Sequence, residues 1–347
     1  MTESHRLPHI QGLRGVSVLL IILFHAGFIF RGGFVGVDIF FVVSGFVITR
    51  MLIREKVSNQ GEIYWNVFFY NRARRLIPSL SIVTILTLIT VFALFNEAER
   101  FAAANEIFPV MFFWSNAFFF LKNDYLALDA DVFTHMWSLA VEEQFYLLIP
   151  SVFIVVGLAK RLCKIREKIA FQIVFWSLIF LSLFLNILLT NFSKSFSIPV
   201  YLLPERFAFF ATPTRIWEIL IGAVGSLINN STEPKSKTVK ILTNGSLVGI
   251  VCSAVFLDSW MKFPGINAIP VVLSTLFLVV SGNQNFICFK DFEFAATHMD
   301  GRNVIQPLLS PLAHSCYFEI SIRWQFNHSV CRNVDFFSSS ERIARKS

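Results

Sequence analysis

GLRGVSVLLIILFHAGF (residues 12–28) and GGFVGVDIFFVVSGF (residues 32–46) decide the fold of this chain. Each is a run of apolar residues too long and too continuous for a half-exposed soluble helix, and together they read as two membrane helices joined by a glycine turn at Gly32 and Gly33. The first carries Arg14 at its start and His25 within the apolar run, the second carries Asp38 and Ser44. An ionisable side chain at lipid depth is costly, so each is a functional candidate with a partner to be found.

The rest of the sequence extends this pattern. Of 347 residues, 55% are hydrophobic, 41 are Phe and only 15% are charged, against about 25% charged in soluble domains. Nearly uncharged runs fall at about 15–30, 34–49, 76–95, 137–159, 171–192, 207–229, 241–257 and 266–281. The expectation is an all-α polytopic integral membrane protein with about eight transmembrane helices. The apolar piece IFPVMFFWSNAFFFL (107–121) is expected as a re-entrant or interfacial segment. With the N-terminus in the cytoplasm, sixteen Lys and Arg fall in inner segments and five in outer loops, which is the asymmetry that sets orientation. The net charge of +7 is therefore a topology signal and no argument for nucleic-acid binding. Five cysteines without CxxC spacing suggest neither a disulfide framework nor a metal site. The first apolar run lacks a convincing cleavage site and is expected to stay as an anchor. Residues 1–287 read as one membrane domain and 288–347 as an atypical polar tail.

Five constellations hold polar chemistry. Arg14 and His25 lie eleven residues apart, about 16 Å along a helix, so they cannot bond each other directly. A neutral imidazole in such a place is a competent base or acyl acceptor, or else a packing residue bonded to a neighbouring helix. Asp38 orients His25 or belongs to a structural ion pair. FFYNRARRLIP (68–78) gathers Arg72, Arg74 and Arg75 just before a span; guanidinium forks suit phosphates, while basic residues there also serve as plain anchors. HMWSLAVEEQFYLLIP (135–150) places Glu142 and Glu143 inside a span, where at least one should line a wet cavity, with Trp137 and Tyr146 as interfacial belt residues. PTRIWEILIG (213–222) puts Arg215 and Glu218 three apart on one helix face, the spacing of an internal ion pair. Gly36 and Gly45 are expected to let helices approach closely.

These motifs, taken in order from about residue 5 to 282, resemble the membrane acyltransferase-3 family, most closely the branch that O-acetylates O-antigen and other surface glycans. The resemblance implies an enzyme of the bacterial inner membrane that takes an acyl group, usually acetyl, from cytoplasmic acyl-CoA and delivers it to a sugar hydroxyl across the membrane. It implies no tightly bound cofactor, acyl-CoA as donor, a glycan or lipid-linked saccharide as acceptor and no metal. It makes Arg14 and His25 essential and gives Arg72 and Arg75 to the coenzyme A phosphates; beside this, Glu142 and Asp38 are expected to orient or tune the histidine. The chain departs from the family at Gln11, where an acidic residue is usual, and after residue 287, where further spans and a YxLYLxHxP-like element are usual. A proton-coupled transporter or acyl flippase, and an inactive truncated acyltransferase, are the alternatives.

Overall fold

A computed structural model describes residues 8–28, 30–122, 132–191, 204–228, 237–258 and 261–281. The tail expected at 288–347 lies outside the described residues. Among those described there is no strand. The helices are α1 Pro8–His25, α2 Gly36–Ser58, α3 Trp65–Leu94, α4 Glu97–Met111, α5 Ser115–Leu121, α6 Met136–Cys163, α7 Glu167–Asn191, α8 Pro204–Phe210, α9 Thr212–Gly225, α10 Lys237–Phe256 and α11 Ile269–Ser281.

Among the described residues this membrane protein is all-helical, with five helical runs long and apolar enough to cross a bilayer: Gly33–Ser58, Trp65–Leu94, Met136–Cys163, Glu167–Asn191 and Pro204–Gly225. Three shorter apolar helices cover His9–His25, Ile241–Phe256 and Gly265–Ser281. Each of the eight expected segments falls on one of these runs. Residues 107–121 are divided by a break after Met111, where Phe113 adopts a left-handed φ of 55°. The two pieces, α4 and α5, have 15 and 7 residues, too short to cross ~30 Å of hydrocarbon. Asn96 and Glu99 close a reciprocal capping box at the start of α4, satisfying two backbone donors that a helix start leaves open.

Burial sorts the helices into an inner and an outer set. The apolar windows of α2 and of α8–α9 are 67% buried, whereas that of α6 is 22% buried. The outer faces of α3, α6 and α7 expose Ile85, Leu86, Ile89, Leu147, Ile154, Phe180 and Phe184. Contiguous apolar surface on that scale suits lipid better than water.

Glycine sets how close the inner pair can come. A Cβ placed on Gly45 of α2 would lie 1.8 Å from the Ile219 carbonyl oxygen of α9, and one on Gly222 of α9 would lie 1.9 Å from the Val42 oxygen of α2. The two backbones therefore touch, as small-residue interfaces in membranes allow. Gly36 meets α1 in the same way, 2.5 Å from the Ser17 oxygen. Gly222→Ala should accordingly cost roughly 1–3 kcal/mol by overpacking. Gly157→Ala, on α6 with nothing within 4 Å of its added carbon, should be neutral or gain up to about 1 kcal/mol. Thermal unfolding in detergent separates the two variants, and equal melting points would refute the close approach of α2 and α9.

Candidate active site

The end of α1 fixes His25. Gly27 takes φ +72°, and the Phe28 and Gly27 amides donate to the Leu23 and Phe24 carbonyls at 3.1 Å each. This is the paired-bond stop that a left-handed glycine makes at a helix C-terminus. His25 is thus the last residue of α1, at the helix end rather than within the apolar run as expected. The glycine two residues on is the signal that places it there. Its Nδ1 lies 2.8 Å from the Ile21 carbonyl oxygen. A carbonyl only accepts, so Nδ1 carries the hydrogen, and in the neutral ring Nε2 carries the lone pair. The Phe24 ring stands edge-on at 4.6 Å and holds the imidazole plane.

About 16 Å back along α1, a second group of side chains converges from four helices. Arg72 on α3 donates through Nη2 to Glu143 Oε1 on α6 at 2.6 Å. Its guanidinium carbon lies 3.5 Å from the centroid of the Tyr146 ring, a stacked geometry that lysine cannot reproduce. Glu142 accepts from Ser44 Oγ on α2 at 3.0 Å and from the Tyr146 hydroxyl at 3.2 Å. Arg14 on α1 and Arg72 both act electrostatically on Glu142, and Arg75 shares the field of Arg14 and Arg72. Arg14 is half-buried, with a buried Nε that has no hydrogen-bond partner. Three arginines and two glutamates leave this cluster with an excess positive charge.

Several expected placements change. Arg72 and Arg75 sit inside α3, which begins at Trp65, rather than in a loop before a span starting near residue 76. The helix tolerates Arg72 because Glu143 and the Tyr146 ring meet its charge. Asp38 does not orient His25. It pairs with Arg215, whose Nη1 donates to Asp38 Oδ1 at 3.0 Å and to Glu218 Oε1 at 2.6 Å, while its Nε donates to the Phe209 carbonyl at 3.1 Å. All three side chains are essentially unexposed, and the guanidinium is walled by Phe41, Trp137, Phe209 and Phe263 within 6 Å. The ion pair expected between Arg215 and Glu218 is present, extended by Asp38 into a link between α2 and α9. Glu142 likewise turns to Ser44, Tyr146 and the arginines, and the structure gives it no bond to His25. Trp137 and Tyr146 are buried, at 5% and 2% exposure, so neither serves as an interfacial belt residue.

Sequence reasoning did not point to the network around Asn116 and Gln144. Asn116 on α5 donates to the Phe210 carbonyl at 3.2 Å, and Gln144 on α6 donates to Asn116 Oδ1 at 2.8 Å and to the Phe113 carbonyl at 2.9 Å. Thr212 at the start of α9 donates to Gln144. An amide directly after two glutamates in a span was the available signal.

Residues 7–318 of the chain match a family described as an acyltransferase domain, Acyl_transf_3. The chain is 31% identical over 293 residues to O-acetyltransferase OatA of Staphylococcus aureus (strain NCTC 8325 / PS 47), covering 80% of this chain and 45% of that protein. It is 33% identical over 234 residues to a Bacillus subtilis (strain 168) protein named "Putative peptidoglycan O-acetyltransferase YrhL", covering 65% of this chain and 34% of that protein. The chain thus spans less than half the length of these curated relatives. No solved structure matches it.

Proposed function

From the premise that the chain belongs to the acyltransferase-3 family, we propose that it is an integral-membrane O-acyltransferase, moving an acetyl or similar acyl group from cytoplasmic acyl-CoA to a hydroxyl of a cell-surface or lipid-linked glycan. The placement we propose is eight spans in the bacterial inner membrane with the N-terminus in the cytoplasm. The observation that carries the function is the division of α1 into two stations. Arginines from α1 and α3 cluster with Glu142, Glu143 and Tyr146 at one level, and His25 stands about 16 Å further along.

Each station has a task that its chemistry suits. Arg72 and Arg75 bind the donor's phosphates through charge-assisted bonds, with Arg72 aimed by Glu143 and the Tyr146 ring. Arg14, whose Nε is unsatisfied, polarises or positions the acyl carbonyl. The donor's pantetheine arm is long enough to run from the arginines towards His25. There Nε2 takes the proton from the acceptor hydroxyl as its oxygen attacks the thioester carbonyl. The new C–O bond forms, the C–S bond breaks, and the proton is returned to the departing CoA thiolate. The hydrogen bond from Nδ1 to the Ile21 carbonyl keeps Nε2 as the basic nitrogen throughout.

Membranes carrying the protein, supplied with acetyl-labelled CoA and a glycan acceptor, test this. Free CoA released in step with label on the glycan supports acyl transfer. Label crossing the membrane without CoA release would replace it by transport. Within the same assay, Arg72→Lys should raise the donor concentration needed for half-maximal rate by about tenfold, the equivalent of ~1.4 kcal/mol, because lysine keeps the charge and loses both the fork and the ring stacking. An unchanged half-saturation would remove Arg72 from the donor site.

A further inference from the structure

Far from His25, the ends of α2, α6 and α7 line an open-sided cavity of about 560 Å³. Lys56, which lines it, lies twenty residues beyond Gly36 on α2, about 30 Å along the helix from the turn that α1 enters. Three more cations, Lys160, Arg161 and Lys164, come from the last turn of α6 and its cap. Residues spaced i, i+1 and i+4 share one side of a helix, and Lys164 in a left-handed conformation, φ 52°, stops α6 there. The chain then enters α7 at Glu167 after only two residues.

Among the described residues Glu167 is the one carboxylate that lines this cavity. It accepts from Lys56 and, through its other oxygen, from Lys160 at 2.9 Å. Among the described residues Arg161 and Lys164 have no ion-pair partner. The described lining therefore holds four cations against one anion. Phe153 forms part of its wall, held edge-on between Trp65 and Phe171 with centroids at 5.6 and 5.0 Å.

We propose that this cavity is a second anion site, which takes a phosphate ester, with Glu167 holding two of its cations in register for it. A phosphate brings three acceptor oxygens and suits the forked guanidinium of Arg161 together with the point charges of Lys56 and Lys164. Two sources carry this chemistry. One is the nucleotide end of the acyl donor, and that version rests on the acyltransferase function proposed above. The other is the headgroup of an anionic lipid, which needs no such function.

The test uses the full chain in phosphatidylcholine nanodiscs, with Arg161→Gln/Lys164→Gln as the variant. These two residues do not hold Glu167, so the melting point without ligand should match wild type. In one arm adenosine 3′,5′-bisphosphate is titrated. In the other, phosphatidylglycerol replaces part of the phosphatidylcholine. Wild type should be stabilised in one arm, with a loss of about tenfold or more in apparent affinity in the double variant. A nucleotide effect assigns the donor, and a lipid effect assigns the headgroup. Equal responses of wild type and variant in both arms, or no response in either, would overturn the site. So would nucleotide binding lost in Arg72→Gln/Arg75→Gln but kept in Arg161→Gln/Lys164→Gln, if the lipid arm is also flat. Neither arm requires turnover, so failure of the acyltransferase function would register separately, as absent CoA release.

Discussion

His25→Ala should lower acyl transfer by about 10²–10⁴-fold, the range that a positioned base contributes, while the protein still inserts and folds. The second half of that expectation follows from where the ring stands. His25 is the terminal residue of α1, and its hydrogen bond to the Ile21 carbonyl is of the kind that a water can replace at a helix end. The stop itself is made by Gly27 and backbone bonds, which the substitution leaves alone. Release of CoA and label on the glycan, each normalised to folded protein, are the quantities to measure. A variant that transfers at the wild-type rate would take the proton-accepting role away from His25.

Arg215→Met should have the largest effect on stability. It would leave Asp38 and Glu218, both with fully buried side chains, as two carboxylates without their cation. Breaking one side of a buried ion pair costs about 3–5 kcal/mol, because the remaining charge stays desolvated. The loss should be visible as reduced folded yield and a lower melting point in detergent. Replacing the whole group, as Asp38→Leu/Arg215→Met/Glu218→Leu, should recover most of it, since a packed apolar substitute is often neutral. A single Arg215→Met variant as stable as wild type would show that the link between α2 and α9 does not depend on charge. The same logic sets Asp38 apart from His25: activity lost in Asp38→Asn should follow the loss of folded protein.

The sequence made some of this plain and hid the rest for identifiable reasons. Long apolar runs announced the helices, because the demand that lipid places on backbone hydrogen bonds leaves few other structures for them. Gly45 could be assigned to close packing from its place in a span. The Arg215–Glu218 pair was visible because three residues on a helix are neighbours. Asp38, 177 positions away from Arg215, carried no mark of its partner. The start of α3 was misplaced by eleven residues because three arginines read as a loop. The side chains that admit Arg72 into a helix, Glu143 and Tyr146, lie about seventy positions later. The break at Phe113 had no glycine or proline at its position to signal it. Ser44 stood out as a polar residue in a span, yet nothing local tied it to Glu142, 98 positions on.

Glu142 and Glu143 are consecutive, so their side chains leave α6 about 100° apart. One engages α2 through Ser44 and the other engages α3 through Arg72. The pair works as a rotational key: turning α6 about its own axis in either direction would pull both carboxylates off their partners at once. Whatever movement admits the two substrates must therefore spare the spin of α6. It has to be sought in helices that this key does not engage, α10 and α11 among them.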